Sequence, residues 1–275
     1  MRVLVVTAVP AERDAVTRAF GDGTRVTVRR VPGAELRRVH GSGGPGGPGV
    51  DIDVLAGGAG PAAAAAATAF GLASGHASAT PGDAPGPTPG PAPYEPVSAP
   101  HGLAPAPYDL VVSAGIGGGF VPAAPVGSLV VASGIVAADL GAETPEGFVP
   151  VTGLGFGRDR HVPPRSLVRD VTAATGALPG EILTVSTVTG SAERAAALLA
   201  AHPRAAAEAM EGFGVAEAAD RAGVPVLELR AVSNAVGPRD RDAWRIGDAL
   251  TALTGAFGKL LPVLEGWTRH DRHHA

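Results

Sequence analysis

The feature that most limits what this chain can become is a recurring order: a β-branched run, a glycine turn, then a helix-favouring stretch. "VDIDVLAGGAG", followed by Pro61 and a run of alanines, is the plainest case. An unbroken Val/Ile/Leu run suits a strand buried on both faces, and glycines end it. Proline in a first helical turn gives up an N–H that would have no partner there. "RVLVVTA" at residues 2–8, then "AERDAVTRAF" with Pro10 near its start, repeats the unit. "YDLVVSAGIGGGF" reads as a strand ending in a glycine turn, and "GSLVVASGIVAADL" and "GEILTVSTVTGS" as further strands. "SAERAAALLAAHPRA" reads as a helix opened by a serine. Beyond it the sequence predicts a helix over Ala209–Ala222, a strand over Val224–Val232, and a closing helix around an internal proline. Strands alternating with helices imply an α/β sandwich with a largely buried sheet. In such sheets ligands sit at the carboxyl ends of the strands.

The chain is read as one domain, residues 1–275. Between about 75 and 107 the composition turns to Pro, Gly and Ala, too poor in large apolar residues to build a core. This stretch falls between a helix and a strand, so it reads as an insertion rather than a linker. The end, about 268–275, contains "RHDRHHA" and reads as a flexible tail, not a metal site.

Hydrophobic residues make up 45 %, enough for a substantial core, and the net charge of −4 favours neither nucleic acid nor an anionic membrane. Cysteine is absent, which removes disulfides, thiolate catalysis and cysteine-bound zinc. The N-terminus lacks a signal-peptide pattern, and the weakly polar stretch from Phe120 to Ala138 is broken by Pro122, Pro125 and Gly127. A soluble, cytoplasmic protein is expected.

Four features fall where strands end: Glu12, Gly57 to Gly60, Gly115 to Gly119, and Ser233-Asn234. Each also has an ordinary structural use. A carboxylate in a first helical turn offsets the helix dipole, glycines reverse the chain, and asparagine forms turns. "GIGGG" is not the dinucleotide-binding pattern, so no nucleotide cofactor is inferred.

Taken in order, "VVTAVPAERDAV", "LAGGAGPAAAAAA", "VVSAGIGGGF", "AMEGFGVAEAADRAGVPVLELRAVSNAVG" and "AWRIGDAL" resemble the nucleoside phosphorylase/nucleosidase superfamily. Within it they look most like the methylthioadenosine/S-adenosylhomocysteine nucleosidases and, above all, the futalosine hydrolases of menaquinone biosynthesis. The resemblance implies a three-layer α/β/α sandwich with a central mixed sheet. It implies a homo-oligomer, dimer or higher, acting on a small-molecule nucleoside without metal or cofactor. Glu12 matches the family's general base for the attacking water. Glu211 matches the residue that binds the ribose hydroxyls, and Met210 the one that packs on the sugar. A carboxylate suits a vicinal diol because it accepts two charge-assisted hydrogen bonds, and its charge favours an oxocarbenium-like transition state. Gly115, Ile116, Phe156 and Trp244 are carried over as substrate contacts, Phe156 as the stack on the base. Arg239 and Arg241 are candidates for a carboxylate on the 5′ arm.

Asn234 stands where the adenine-specific nucleosidases have Asp. An amide offers N–H groups to N7 and to a 6-oxo group, which an ionised Asp would repel, so the implied leaving base is hypoxanthine. Ser113 stands where a phosphorylase would be expected to carry a phosphate-binding arginine, which favours water as nucleophile, although Arg158, Arg160 or an arginine from a second subunit could supply that charge. An adenine nucleosidase, a purine nucleoside phosphorylase and a nucleoside sensor without turnover remain as alternatives.

Overall fold

The computed structural model describes residues 1–21, 24–39, 49–74 and 107–267. The tail lies outside the described residues, as does the Pro-rich insertion up to residue 106. In chain order the elements are β1 (Arg2–Thr7), α1 (Pro10–Arg18), β2 (Val26–Val31), β3 (Ala34–Val39), β4 (Asp51–Ala56), α2 (Pro61–Ser74), β5 (Leu110–Gly119), β6 (Leu129–Ala137), β7 (Gly141–Thr144) and β8 (Gly147–Pro150). They continue with β9 (Arg160–His161), α3 (Arg165–Thr175), β10 (Leu178–Thr184), α4 (Ala192–Ala201), β11 (Ala205–Ala209), α5 (Gly212–Arg221), β12 (Val226–Ala235) and α6 (Ile246–Gly266).

The central sheet runs β11-β10-β6-β12-β5-β1-β4-β3-β2, with β9 on β6. It is mixed: β1 is parallel to β4 and β5, while β12 is parallel to β5 and antiparallel to β6. Strand alternation sends Val3 and Val5 into one core with α1, α3 and α6. Leu4 and Val6 go into a second core with α2 and α5. The middle of the sheet is thus covered by helices on both faces, which is why β1, β4 and β5 read as continuous apolar runs, whereas β2 and β3 at its end carry charged residues.

β11 turns back to pair antiparallel with the end of β5, Ala207 opposite Gly119 and Glu208 opposite Gly118. Strands β5, β12, β6, β10 and β11 therefore close into a ring. Closure brings backbones together: a Cβ on Gly119 would overlap the Ala124 carbonyl oxygen, and one on Gly117 would lie 2.8 Å from that of Glu208. The glycines from Gly115 to Gly119 are thus the end of a strand crossed closely by its neighbours, not the turn expected from sequence.

The alanine-rich region also differs from expectation. Ala205–Ala209 is a strand with all five residues buried, and α5 begins only at Gly212 with Glu211 as its N-cap. Alanine's helix preference is worth only about 0.5 kcal/mol per residue, and burial between β10 and β5 outweighs it. β12 runs on to Ala235 rather than stopping at Val232. Among the described residues no helix is long and apolar enough to cross a membrane.

Candidate active site

A cleft of about 380 Å³ opens at the carboxyl ends of β1, β5, β11 and β12. Glu12, Ile116, Met210, Glu211, Asn234 and Trp244 all line it. Residues far apart in sequence meet there because the parallel strands β1, β5 and β12 end at one edge of the sheet.

Glu12 sits in the first turn of α1, immediately after β1. Its Oε2 accepts hydrogen bonds from the backbone N–H groups of Ala8 at 2.9 Å and Val9 at 3.2 Å. Its Oε1 accepts one from the N–H of Ile116 at 2.8 Å. The carboxylate thus ties the start of α1 to β5 and still borders the cleft, serving the helix end and the site together. Burial raises its pKa above the ordinary glutamate value. Arg230 and the amides of Ile116 and Val9 oppose this, and Glu211 adds to it.

Glu211 is 5 % exposed at the β11–α5 junction. Its Oε1 accepts a hydrogen bond at 3.2 Å from the N–H of Gly60. Gly60 has a φ of 94°, a left-handed conformation that glycine adopts without strain, so the turn after β4 is shaped to meet Glu211. Met210 borders the cleft beside it.

Behind both carboxylates lies Arg230 of β12, 1 % exposed. Its Nη1 is 3.2 Å from Glu211 Oε2, its Nη2 donates to Ser113 Oγ at 3.0 Å, and its Nε donates to Glu228 Oε1 at 2.9 Å. A Cβ on Gly115 would stand 2.5 Å from Glu12 Oε1 and 2.6 Å from Arg230 Nη1, so both atoms press on the bare α-carbon of that residue. Three carboxylates and one guanidinium form a single cluster, in which one positive charge offsets the repulsion between Glu12 and Glu211.

Asn234 follows an irregularity in β12, where the pairing with β5 shifts between Val232 and Asn234. A strand that skips a residue re-aims the next side chain, which is why the apolar run ends on Ser-Asn instead of a simple turn. Ser233 Oγ donates to Asn234 Oδ1 at 2.8 Å, and Asn234 Nδ2 donates to the Ala235 carbonyl at 3.0 Å. Among the described residues the second amide N–H of Asn234 makes no hydrogen bond to the protein. Nearby, the buried Glu208 receives the N–H of Thr189 at 2.8 Å and its hydroxyl at 2.5 Å, fixing the loop after β10 along the cleft wall.

Trp244 borders the cleft with the Arg239 guanidinium 5.2 Å and that of Arg241 5.7 Å from its ring centroid. Arg239 lines the cleft as well; Arg241 does not. Phe156 is elsewhere, 67 % exposed on the loop after β8 and outside the cleft lining. Arg158 pairs with Asp220 and Arg160 with Glu181, and neither borders the cleft.

Sequence reasoning did not single out Arg230, Glu228 or Glu208. The signal was present in "VLELRAV", where Glu228 and Arg230 stand two apart, on one face of an otherwise apolar strand. Charged residues on a buried strand must be paired, and a pair at that position points toward a polar site.

The profile of the Phosphorylase superfamily matches residues 2–261. A futalosine hydrolase from Streptomyces coelicolor is 59 % identical over 273 residues, 99 % of this chain and 100 % of that protein. One from Acidothermus cellulolyticus is 47 % identical over 163 residues, 58 % of this chain and 66 % of that protein. Among solved structures, the native futalosine hydrolase of Helicobacter pylori superposes with a TM-score of 0.71 at 17 % identity, over 95 % of this chain and 97 % of that one. A methylthioadenosine/S-adenosylhomocysteine nucleosidase from Colwellia psychrerythraea, in complex with adenine, superposes with a TM-score of 0.70 at 20 % identity, over 97 % and 95 %. At such identities the structural matches speak for the fold.

Proposed function

Since the chain belongs to the Phosphorylase superfamily and, within it, to the futalosine hydrolases, we propose that it cleaves the N-glycosidic bond of futalosine with water, releasing hypoxanthine and dehypoxanthine futalosine. The observation that carries this reading is the meeting of Glu12, Glu211 and Asn234 on one cleft. In this reading Glu12, ionised, takes a proton from the water that attacks C1′. Glu211 holds the ribose diol, and its charge favours the oxocarbenium-like transition state. Met210 packs against the sugar, Ile116 of β5 lies beneath it with Gly115 next to it outside the cleft lining, and Trp244 borders the 5′ side. The free N–H of Asn234 serves N7 of the departing purine, and its amide tolerates the 6-oxo group. Arg239, held over Trp244 at the mouth of the cleft, offers a cation to a carboxylate on the 5′ arm. Water as nucleophile is supported by the cleft's lining, in which Arg239 is the one arginine among the described residues.

The same reading includes a homo-oligomer. Leu140, Phe148, Leu154 and Phe156 are exposed apolar residues on the segment around β7 and β8, a surface that a second copy would cover. Phe156, outside the cleft of its own chain, belongs to this surface.

The deciding experiment incubates purified protein with futalosine, inosine and methylthioadenosine, each with and without phosphate, and identifies the products. Phosphate-independent release of hypoxanthine from futalosine in preference to the other two is the expected result. Adenine release from methylthioadenosine at a comparable rate, or a strict phosphate requirement, would overturn the reading.

A further inference from the structure

Glu228 has no part in the chemistry described so far, yet it is a fully buried carboxylate two residues from Arg230. One oxygen accepts from Arg230 Nε at 2.9 Å; the other, Oε2, has no hydrogen-bond partner among the described residues. Room for it is made on the neighbouring element, since a Cβ on Gly212, the first residue of α5, would overlap both Glu228 oxygens. Desolvation makes a carboxylate in the interior unfavourable, and an apolar side chain would fill the strand without that penalty. The expense falls at the back of the guanidinium whose front faces Glu211 and Glu12.

We propose that Glu228 is a positioning residue for the hydrolysis: from behind, it fixes the Arg230 guanidinium against Glu211 and Glu12, and the charge it carries sets how basic Glu12 is. The inference rests on the reading of Glu12 as the base that activates water.

The groups facing Glu228 are Arg230 on its own strand and Glu211 at the start of α5. Beyond the guanidinium stand Glu12 of α1 and Ser113 of β5. With Glu228 protonated, the positive charge of Arg230 bears on Glu12 and Glu211 alone and keeps Glu12 a weaker base. With Glu228 ionised, part of that charge is neutralised from behind, Glu12 becomes the stronger base, and the cluster gains a negative charge that favours a cationic sugar. Burial pushes the Glu228 carboxyl up to about 7, against the pull of Arg230, so the change between these two states falls in the neutral range.

The test replaces Glu228 by Gln, which keeps the shape and removes the charge. In protein labelled with carbon-13 at the glutamate carboxyls, the Glu12 signal is assigned by its loss in Glu12→Gln and followed against pH without substrate. In the wild type the Glu12 signal shows, above its own titration, a second step in the neutral range as Glu228 ionises; Glu228→Gln removes that step, and Glu228→Asp, which restores a charge, brings one back. With futalosine, Glu228→Gln lowers kcat by about five- to tenfold and leaves KM within about twofold, as expected when a base is weakened and binding is spared. A Glu12 titration and kcat unchanged in Glu228→Gln, even with a lower melting temperature, would make Glu228 a structural carboxylate and overturn the proposal. Should futalosine prove not to be the substrate, that failure would belong to the proposed function, and the titration of Glu12 would still decide the role of Glu228.

Discussion

Gly115 stands between the two groups that define the site, and replacing it by alanine measures how tightly they are placed. Its backbone is that of an ordinary strand residue with no left-handed φ, so alanine can occupy β5 without strain. The new methyl group would lie 2.5 Å from Glu12 Oε1, 2.9 Å from Glu12 Cδ and 2.6 Å from Arg230 Nη1. Carbon–oxygen contacts normally begin near 3.4 Å, so the Glu12 carboxylate must retreat by roughly 1 Å, and a displacement of that size at reacting groups costs about 100-fold in rate. The carboxylate cannot simply swing aside, because three backbone N–H groups hold it at 2.8 to 3.2 Å. Gly115→Ala is therefore expected to lower kcat with futalosine by about 100-fold while circular dichroism and the melting curve report a folded protein. A folded variant with kcat within about threefold of wild type would refute the claim that Glu12 and Arg230 are fixed around this α-carbon.

Other consequences concern the base, the pH profile and stability. Asn234→Asp should shift preference toward 6-aminopurine nucleosides by at least about tenfold in the ratio of kcat/KM values, and an unchanged ratio would remove Asn234 from base recognition. Because burial raises the Glu12 pKa and the base must be ionised, activity should fall as pH drops through a value above the ordinary glutamate range. An acidic limb at or below that range would contradict the assignment. Far from the site, Asp53 is buried and accepts hydrogen bonds from Arg38, Tyr108 and Arg2. Burial alone would raise its pKa, but these three partners together hold it below the usual aspartate value. Its stabilisation is thus present above the unfolded aspartate pKa and lost as pH falls through the depressed folded value. Asp53→Asn should cost about 2 kcal/mol at neutral pH, with the gap between the two melting curves closing on acidification. A gap that stays constant with pH would show that the ionised state of Asp53 contributes nothing.

Much of this architecture was legible in the sequence because buried parallel strands leave a plain mark. β1, β4, β5 and the helices α1, α2 and α6 fall where β-branched runs, prolines and glycines put them. Two of the differences share a cause, which is that long-range packing overrode local preference. The run Ala205–Ala209 favours a helix in isolation and becomes a strand because β10 and β5 lie on either side of it. Gly115 to Gly119 look like a turn and are instead a strand that must let β11 and the Ala124 backbone approach. Glu12, Met210, Glu211 and Asn234 could be read from the motifs that carry them, and the structure places them on one cleft. Arg230 carries its local signal only in its spacing from Glu228 on β12, because its other partners, Ser113 and Glu211, come from β5 and the end of β11. Phe156 fits a stacking role by residue type alone, and it does not border the cleft of its own chain.

The central claim is that Glu12 activates water, and replacing it by Gln tests this most directly, since the amide keeps the shape and removes the base. Single-turnover rates and equilibrium binding with futalosine should show turnover reduced by roughly 1,000-fold and nucleoside affinity within about threefold of wild type. A Glu12→Gln enzyme that releases hypoxanthine at close to the wild-type rate would contradict the account.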